Sequence, residues 1–267
     1  MTNRESIPKR MLVTGGSEGI GRSMVDRFAK YDPEENFILT CSRHGINPSG
    51  SSERVRSVTM DLADPTATQT LIEQAIHEEV DTLVLNAAVT GIAQVDEQNF
   101  SPDYVARVNV GASLQMIDAL LPTLRAHDGL VLFLTTPMVR SAHPPAEAQT
   151  YIETKRRVEE RLRKYAIDPQ NAGVTFLAIS PGSVATRLHR NIREHMDPFS
   201  PLRERTEQLI REDRLRDPEI VGKILYFIAD AHAAFNPATK KYDQPLQSGS
   251  TYDITDEEYQ NAAAPQT

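Results

Sequence analysis

The 267-residue chain has little with which to staple, anchor or metallate itself. Cys41 is its only cysteine, so no intramolecular disulfide can form and a reducing compartment is consistent. The seven histidines are scattered, and beside one cysteine they make no metal-ligand spacing, so no metal is implied. No apolar run approaches the ~18 residues of a membrane span. Residues 1–9 are polar and no apolar stretch of a secretory signal follows. The cytoplasm is therefore the expected location, with no membrane as partner. Positive charge is also in short supply. Twenty-nine Lys and Arg face 37 Asp and Glu, and the net charge of -8 argues against a general nucleic-acid binder. It leaves room for a local basic site for one anionic ligand. No repeat of solenoid period is present. What remains, 39% hydrophobic and 25% charged residues, is the composition of one soluble globular domain of the larger kind.

Short apolar runs alternate with longer helical patterns, which predicts an α/β fold: a doubly wound parallel sheet of the Rossmann type in three layers. Strands are expected at 11–13, 36–41, 55–60, 82–85, 130–134, 174–179 and 250–254. Helices are expected at 20–30, 65–79, 149–166 and 218–229, with a long one from the Ser101-Pro102 cap through Leu124. Residues 42–53 read as a polar loop, and 186–216 as a long charged insertion with weak helical pattern. Such an insertion beside the carboxyl ends of the strands is a candidate substrate lid. A single domain over 9–255 is expected, with a flexible 1–8 and a frayed tail after Thr255.

The segment Thr14-Gly15-Gly16-Ser17-Glu18-Gly19-Ile20-Gly21 joins the first strand to the first helix. Gly15 permits the tight turn, Gly19 leaves room for a pyrophosphate, and Gly21 lets the helix pack on the strand. The free N–H groups and positive end of a helix beginning at Ile20 favour phosphate, and Ser17 adds a hydroxyl. A NAD-type site carries Asp or Glu about 20 residues further on. No acidic residue occurs between Phe37 and Gly50; Ser42 and Arg43 stand there instead. A guanidinium at that place suits a 2′-phosphate, so NADP(H) is preferred over NAD(H). Asp61-Leu62 ends the third strand, where the carboxylate either accepts from an adenine amino group or caps the next helix. Asn86-Ala87-Ala88 closes the fourth, with Asn86 either at the cofactor or tying neighbouring loops. Tyr151 and Lys155 share a helix face, and an ammonium there is expected to lower the phenol pKa for acid–base work.

Taken in order, these motifs resemble the short-chain dehydrogenase/reductase family over nearly the whole chain. The turn resembles TGxxxGxG, Asn86-Ala87-Ala88 resembles NNAG, Tyr151 and Lys155 match YxxxK, and Pro181-Gly182-Ser183-Val184-Ala185-Thr186 matches PGxVxT. The resemblance implies Tyr151 as acid/base, Lys155 lowering its pKa and holding the nicotinamide ribose, and Asn109 positioning Lys155 through water. It also implies cofactor contacts from Pro181, Gly182, Val184 and Thr186. The family's substrate-orienting serine is replaced: Thr136 is the preferred substitute, with Met138 and Ser141 as other countings. The implied function is an NADP(H)-dependent oxidoreductase interconverting a carbonyl and an alcohol on a small molecule. The alternative is a cofactor-holding fold without net redox activity, as sensor, scaffold or epimerase. Homodimers or homotetramers are common in the family. The charges after Lys155 are expected on solvated faces, with pairs such as Glu159–Arg163 and Glu160–Lys164. Arg187, His189, Arg190 and Arg193 are expected as a solvated basic face or as contacts to an acidic group.

Overall fold

The computed structural model describes residues 9–31, 36–45, 54–92, 95–96 and 100–264. Its strands are β1 (Arg10–Thr14), β2 (Phe37–Ser42), β3 (Val55–Thr59), β4 (Thr82–Leu85), β5 (Leu130–Leu134), β6 (Thr175–Ser180), β7 (Ala233–Asn236), β8 (Lys241–Pro245) and β9 (Thr251–Asp253). Its α-helices are α1 (Gly19–Tyr31), α2 (Pro65–His77), α3 (Pro102–Ala106), α4 (Ala112–Ala126), α5 (Gln149–Ile167), α6 (Arg187–His195), α7 (Pro201–Arg211), α8 (Pro218–Ala231) and α9 (Asp256–Ala263). Seven strands form one parallel sheet in the order β3-β2-β1-β4-β5-β6-β9. The order reverses between β1 and β4, and in such sheets ligands bind outside the strand ends at that point.

The central strands are buried on both faces, and alternate side chains feed two cores. Leu12, Leu39, Leu83, Val131 and Phe133 pack with α2, α4 and α5 on one face. Met11, Val13, Ile38, Val84 and Leu132 pack with α1 and α8 on the other. Four helices begin with the same device. Asp64, Ser101, Ser200 and Asp217 cap α2, α3, α7 and α8, each followed by a proline that is pre-set for the first turn.

Several expectations need correction. The long helix from Ser101 is interrupted by a π turn, Arg107–Gly111, between α3 and α4. The insertion is not irregular: 186–216 holds α6 and α7. A β7–β8 hairpin follows α8, where no strand was expected. The tail after Thr255 is helical as α9, and its Glu258 and Ala262 are buried. Residues 1–8 and most of the loop at 42–53 lie outside the described residues. No described helix is long and apolar enough to cross a membrane.

Candidate active site

The glycine turn is built by contact as much as by freedom. Gly15 has a φ of +73°, and a side chain on it would come within 2.9 Å of the Asn86 amide nitrogen. Asn86 donates through Nδ2 to the carbonyls of Thr14 (2.9 Å) and Gly15 (3.0 Å), so it ties the β4 end to the turn. Thr14 Oγ1 answers by accepting from the backbone N–H of Asn86 and Ala87. Gly19 has a φ of +56°, and a β-carbon there would lie 3.2 Å from Thr186. Gly21 is not on the cavity wall. It sits where α1 crosses β1, close against the Gly15 carbonyl.

A cavity of about 330 Å³ runs along the carboxyl ends of the strands. Gly15, Ser17, Gly19 and Ile20 line it at the turn. Ser42, Arg43, Asp61 and Leu62 line the end beyond β2 and β3, and Asn86 and Ala87 the middle. The Ser42 hydroxyl is buried there with no partner among the described residues. The Arg43 guanidinium lies 5.1 Å from the Phe100 ring centre, and Phe100 stacks on Tyr104 at 4.2 Å. Tyr104 donates to Asp61 Oδ2 at 2.8 Å, while Asp61 Oδ1 accepts from the Ala63 N–H at 2.8 Å. Burial pushes the Tyr104 phenol up to about 12, with Asp61 adding to the rise. The cap of α2 is Asp64 rather than Asp61, so the helix-cap reading of Asp61 is corrected to a turn contact. The bare glycine turn, the open helix end and an orphaned hydroxyl fit the ribose and phosphates of a dinucleotide.

At the other end, Thr136, Met138, Tyr151, Lys155, Pro181, Gly182, Val184 and Thr186 share the wall. Thr136 caps a short 3₁₀ turn, Pro137–Arg140, and its Oγ1 accepts from the Met138 N–H at 3.3 Å. Among the described residues no acceptor is found for its O–H, and the residue lines the cavity. Met138 also reaches the wall but has no hydroxyl. Ser141 does not line the cavity, and its Oγ accepts from His143 N–H. Asn109 lies in the π turn, away from the wall. Its side chain accepts from the Val89 N–H and donates to the Val89 carbonyl and to Thr154 Oγ1. It therefore braces Thr154, next to Lys155, by direct bonds.

The electrostatics of the pair run against the sequence expectation. Lys155 is buried and donates to the Leu134 carbonyl at 2.7 Å, with its Nζ 4.7 Å from the Phe133 ring centre and 5.4 Å from that of Tyr151. Burial lowers its pKa to about 7, opposed by the Glu159 carboxylate. The Tyr151 phenol is raised to about 12, first by burial and then by the charge of Asp96. Both causes favour the neutral phenol, so the direction is set by burial rather than by the lysine. Asp96, held by the N–H groups of Thr90 (3.0 Å) and Gly91 (2.7 Å), lines the cavity and was missed in the sequence.

Lys155 has a consequence for stability. Its folded pKa lies below the unfolded one, so the folded chain bears the full penalty of a buried ammonium below pH 7. As the pH rises from about 7 to 10.5, the unfolded chain keeps a proton that the folded chain has lost, and the penalty fades. Lys155→Met is expected to be more stable than the wild type at pH 6, with the gap narrowing toward pH 10 in paired urea unfolding curves. A gap that widens with pH contradicts the burial argument.

Helices α6 and α7 of the 186–216 segment also line this wall, through Arg187, His189, Leu202 and Arg205 among others. Arg187 pairs with Glu18 at 2.8 Å, tying α6 to the glycine turn and neutralising the acid there. His189 Nδ1 lies 3.2 Å from Thr206 Oγ1, and burial with the Arg205 charge lowers its pKa to about 4. Arg193 meets Glu207 at 3.3 Å. Arg190 is exposed and makes no ion pair among the described residues.

A parallel sheet that reverses order at a glycine turn, with Tyr151 and Lys155 on the facing wall, defines a nucleotide-dependent α/β enzyme. The sequence model of the short chain dehydrogenase family matches residues 9–197. Oxidoreductase UcpA of Escherichia coli K12 is 27% identical over 91% of this chain and 94% of its own. L-rhamnose 1-dehydrogenase (NAD(P)(+)) of a Sphingomonas species is 26% identical over 85% of this chain and 91% of its own. Among solved structures, a short chain dehydrogenase/reductase of Saccharomyces cerevisiae superposes with a TM-score of 0.74 at 21% identity, covering 94% of this chain and 98% of that one. That likeness speaks for the fold. The chain belongs to the short chain dehydrogenase family. It is an oxidoreductase of that family, which uses a nicotinamide cofactor and acts on small molecules.

Proposed function

We propose that this protein is an NADP(H)-dependent oxidoreductase that interconverts a carbonyl and an alcohol on a small molecule, with Tyr151 as the acid/base. The observation that carries the reading is that Tyr151, Lys155 and Thr136 line one cavity with the glycine turn, Ser42 and Arg43. Gly15, Ser17, Gly19 and Ile20 would hold the pyrophosphate at the N-terminus of α1, with Gly21 keeping that helix close. Ser42 and Arg43 would take the 2′-phosphate, and Asp61 and Leu62 the adenine edge. Asn86 and Ala87 shape the turn; Pro181, Gly182, Val184 and Thr186 border the nicotinamide. The bound dinucleotide supplies the hydride chemistry.

The chain's own residues do the rest. Thr136 donates its O–H to the substrate oxygen. Tyr151, a neutral phenol up to about pH 12, gives a proton to that oxygen when a carbonyl is reduced. Lys155 is within reach to stabilise the phenolate left behind and to hold the ribose. Asn109 braces the helix that carries them. The fixed Asp96 carboxylate suits a hydroxylated substrate, and the sugar named for the Sphingomonas relative makes aldoses the first compounds to screen.

The cofactor preference has its own test. Arg43→Ala is expected to weaken NADPH by about tenfold or more and NADH by less than about twofold, since charge-assisted bonds to a phosphate are among the strong ones. Isothermal titration with each dinucleotide reads both. Equal losses exclude the 2′-phosphate contact.

A further inference from the structure

Glu159 looks like a surface residue in the sequence, one of a run of charges on α5. In the structure it is 3% exposed, one turn beyond Lys155 on the same helix. Its Oε1 accepts from the Thr135 hydroxyl, and its Oε2 from Arg163 at 3.1 Å. Thr135 is the residue between Leu134, whose carbonyl takes the Lys155 ammonium, and Thr136, whose hydroxyl lines the cavity. Its backbone is fixed as well, with the Thr135 N–H donating to the Ile179 carbonyl at 2.8 Å. The carboxylate thus connects the helix bearing Tyr151 and Lys155 to the end of β5.

We propose that Glu159 is a positioning residue of the reaction centre: its carboxylate holds Lys155 as an ammonium and, through Thr135, fixes the turn that carries Thr136. A carboxylate removed from water by burial is costly unless bonded and paired; Thr135 and Arg163 meet that cost, and the charge so retained stands one helical turn from the buried lysine. The groups facing the pair are few. From β5 and the residue after it come the Phe133 ring, the Leu134 carbonyl and the Thr135 hydroxyl. From α5 come Tyr151 and Arg163. Asp96 acts on Tyr151 from the loop after β4. Of these, Glu159 is the anion that favours the charged form of Lys155.

The proposal rests on the reading of Lys155 as part of the proton relay, and its test is read without turnover. In the full chain carrying [13Cε]lysine, the Lys155 resonance, assigned by its loss in Lys155→Arg, is expected to titrate near pH 7. In Glu159→Gln, which keeps an acceptor for Thr135 but removes the charge, that midpoint is expected to fall by about one pH unit or more. With it, kcat at pH 7 falls about fivefold or more, as the ammonium fraction does, while dinucleotide affinity stays within about twofold. Thr135→Val keeps the charge, so the midpoint stays and kcat falls, which reads the positioning half. An unmoved midpoint in Glu159→Gln overturns the electrostatic role, and unchanged kcat in Thr135→Val overturns the positional one. Should Glu159→Gln not fold, the wild type still decides: the Glu159 carboxyl carbon must shift at the Lys155 midpoint, and a flat trace there overturns the proposal. Loss of the relay reading by other tests leaves these titrations valid in their own right.

Discussion

Tyr151→Phe is expected to lower kcat by about 10²- to 10⁴-fold while leaving the dinucleotide dissociation constant within about twofold. The substitution deletes one oxygen and keeps the ring. The Lys155 ammonium, 5.4 Å from that ring's centre, keeps its packing, and its hydrogen bond to the Leu134 carbonyl does not involve the phenol. What is lost is the one proton donor on this part of the wall that sits beside a lysine. Loss of general acid–base catalysis falls on kcat and kcat/KM together, whereas a change in binding falls on KM. Steady-state kinetics of a responsive carbonyl substrate, paired with a fluorescence titration of NADPH, separate the two. Unchanged turnover would remove Tyr151 from the chemistry.

Gly21→Ala is expected to be among the most destabilising single changes. Its β-carbon would fall 2.3 Å from the Gly15 carbonyl oxygen and 2.6 Å from the Asn86 amide nitrogen. The first of these is backbone inside the tight turn, held in turn by Asn86, so neither neighbour can step aside. Alanine gains about 1 kcal/mol over glycine in a helix. Overpacking of a tight contact costs about 1–3 kcal/mol, and backbone is less yielding than side chain. A net loss of about 2 kcal/mol is expected, with a fall in Tm of about 4–8 °C and weaker dinucleotide binding as the turn opens. Gly111→Ala is the control. That glycine is exposed, and the nearest atom to its β-carbon would be 3.8 Å away. It is expected to hold or raise Tm, by up to about 1 kcal/mol of stability. Equal effects at the two positions would contradict the close-packing argument for Gly21.

The sheet was legible because its strands are apolar on both faces and end at turn residues. The expected 82–85 and 130–134 are the observed β4 and β5. The π turn around Asn109 was not legible, since one extra residue in a helical turn hardly alters the spacing of apolar side chains. The β7–β8 hairpin was missed because only β7 is buried; β8, Lys-Tyr-Asp-Gln-Pro, carries no apolar alternation. For α9 the signal was present: Thr255-Asp256-Glu257-Glu258 has the spacing of a capping box, and Thr255 does accept from the Glu258 N–H at 3.1 Å. Charge hid Glu159. Its spacing from Lys155 placed it on the reactive face, yet its charge was read as exposure. The expected Glu159–Arg163 pair forms at 3.1 Å, from a buried acid rather than a solvated one, while Glu160 and Lys164 do not pair. The motifs gave the wall residues but not their electrostatics. Tyr151 and Lys155 are displaced from their ordinary pKa values by burial, and burial depends on the whole fold.

The dinucleotide is the claim on which the rest stands, and a titration of the purified protein with NADPH and NADH, followed by nicotinamide fluorescence, tests it most directly. Saturable binding of both, with NADPH the tighter by about tenfold or more, is the predicted result. Binding of neither would mean that the glycine turn, Ser42 and Arg43 serve only the fold, and the proposed oxidoreductase mechanism would fall with them.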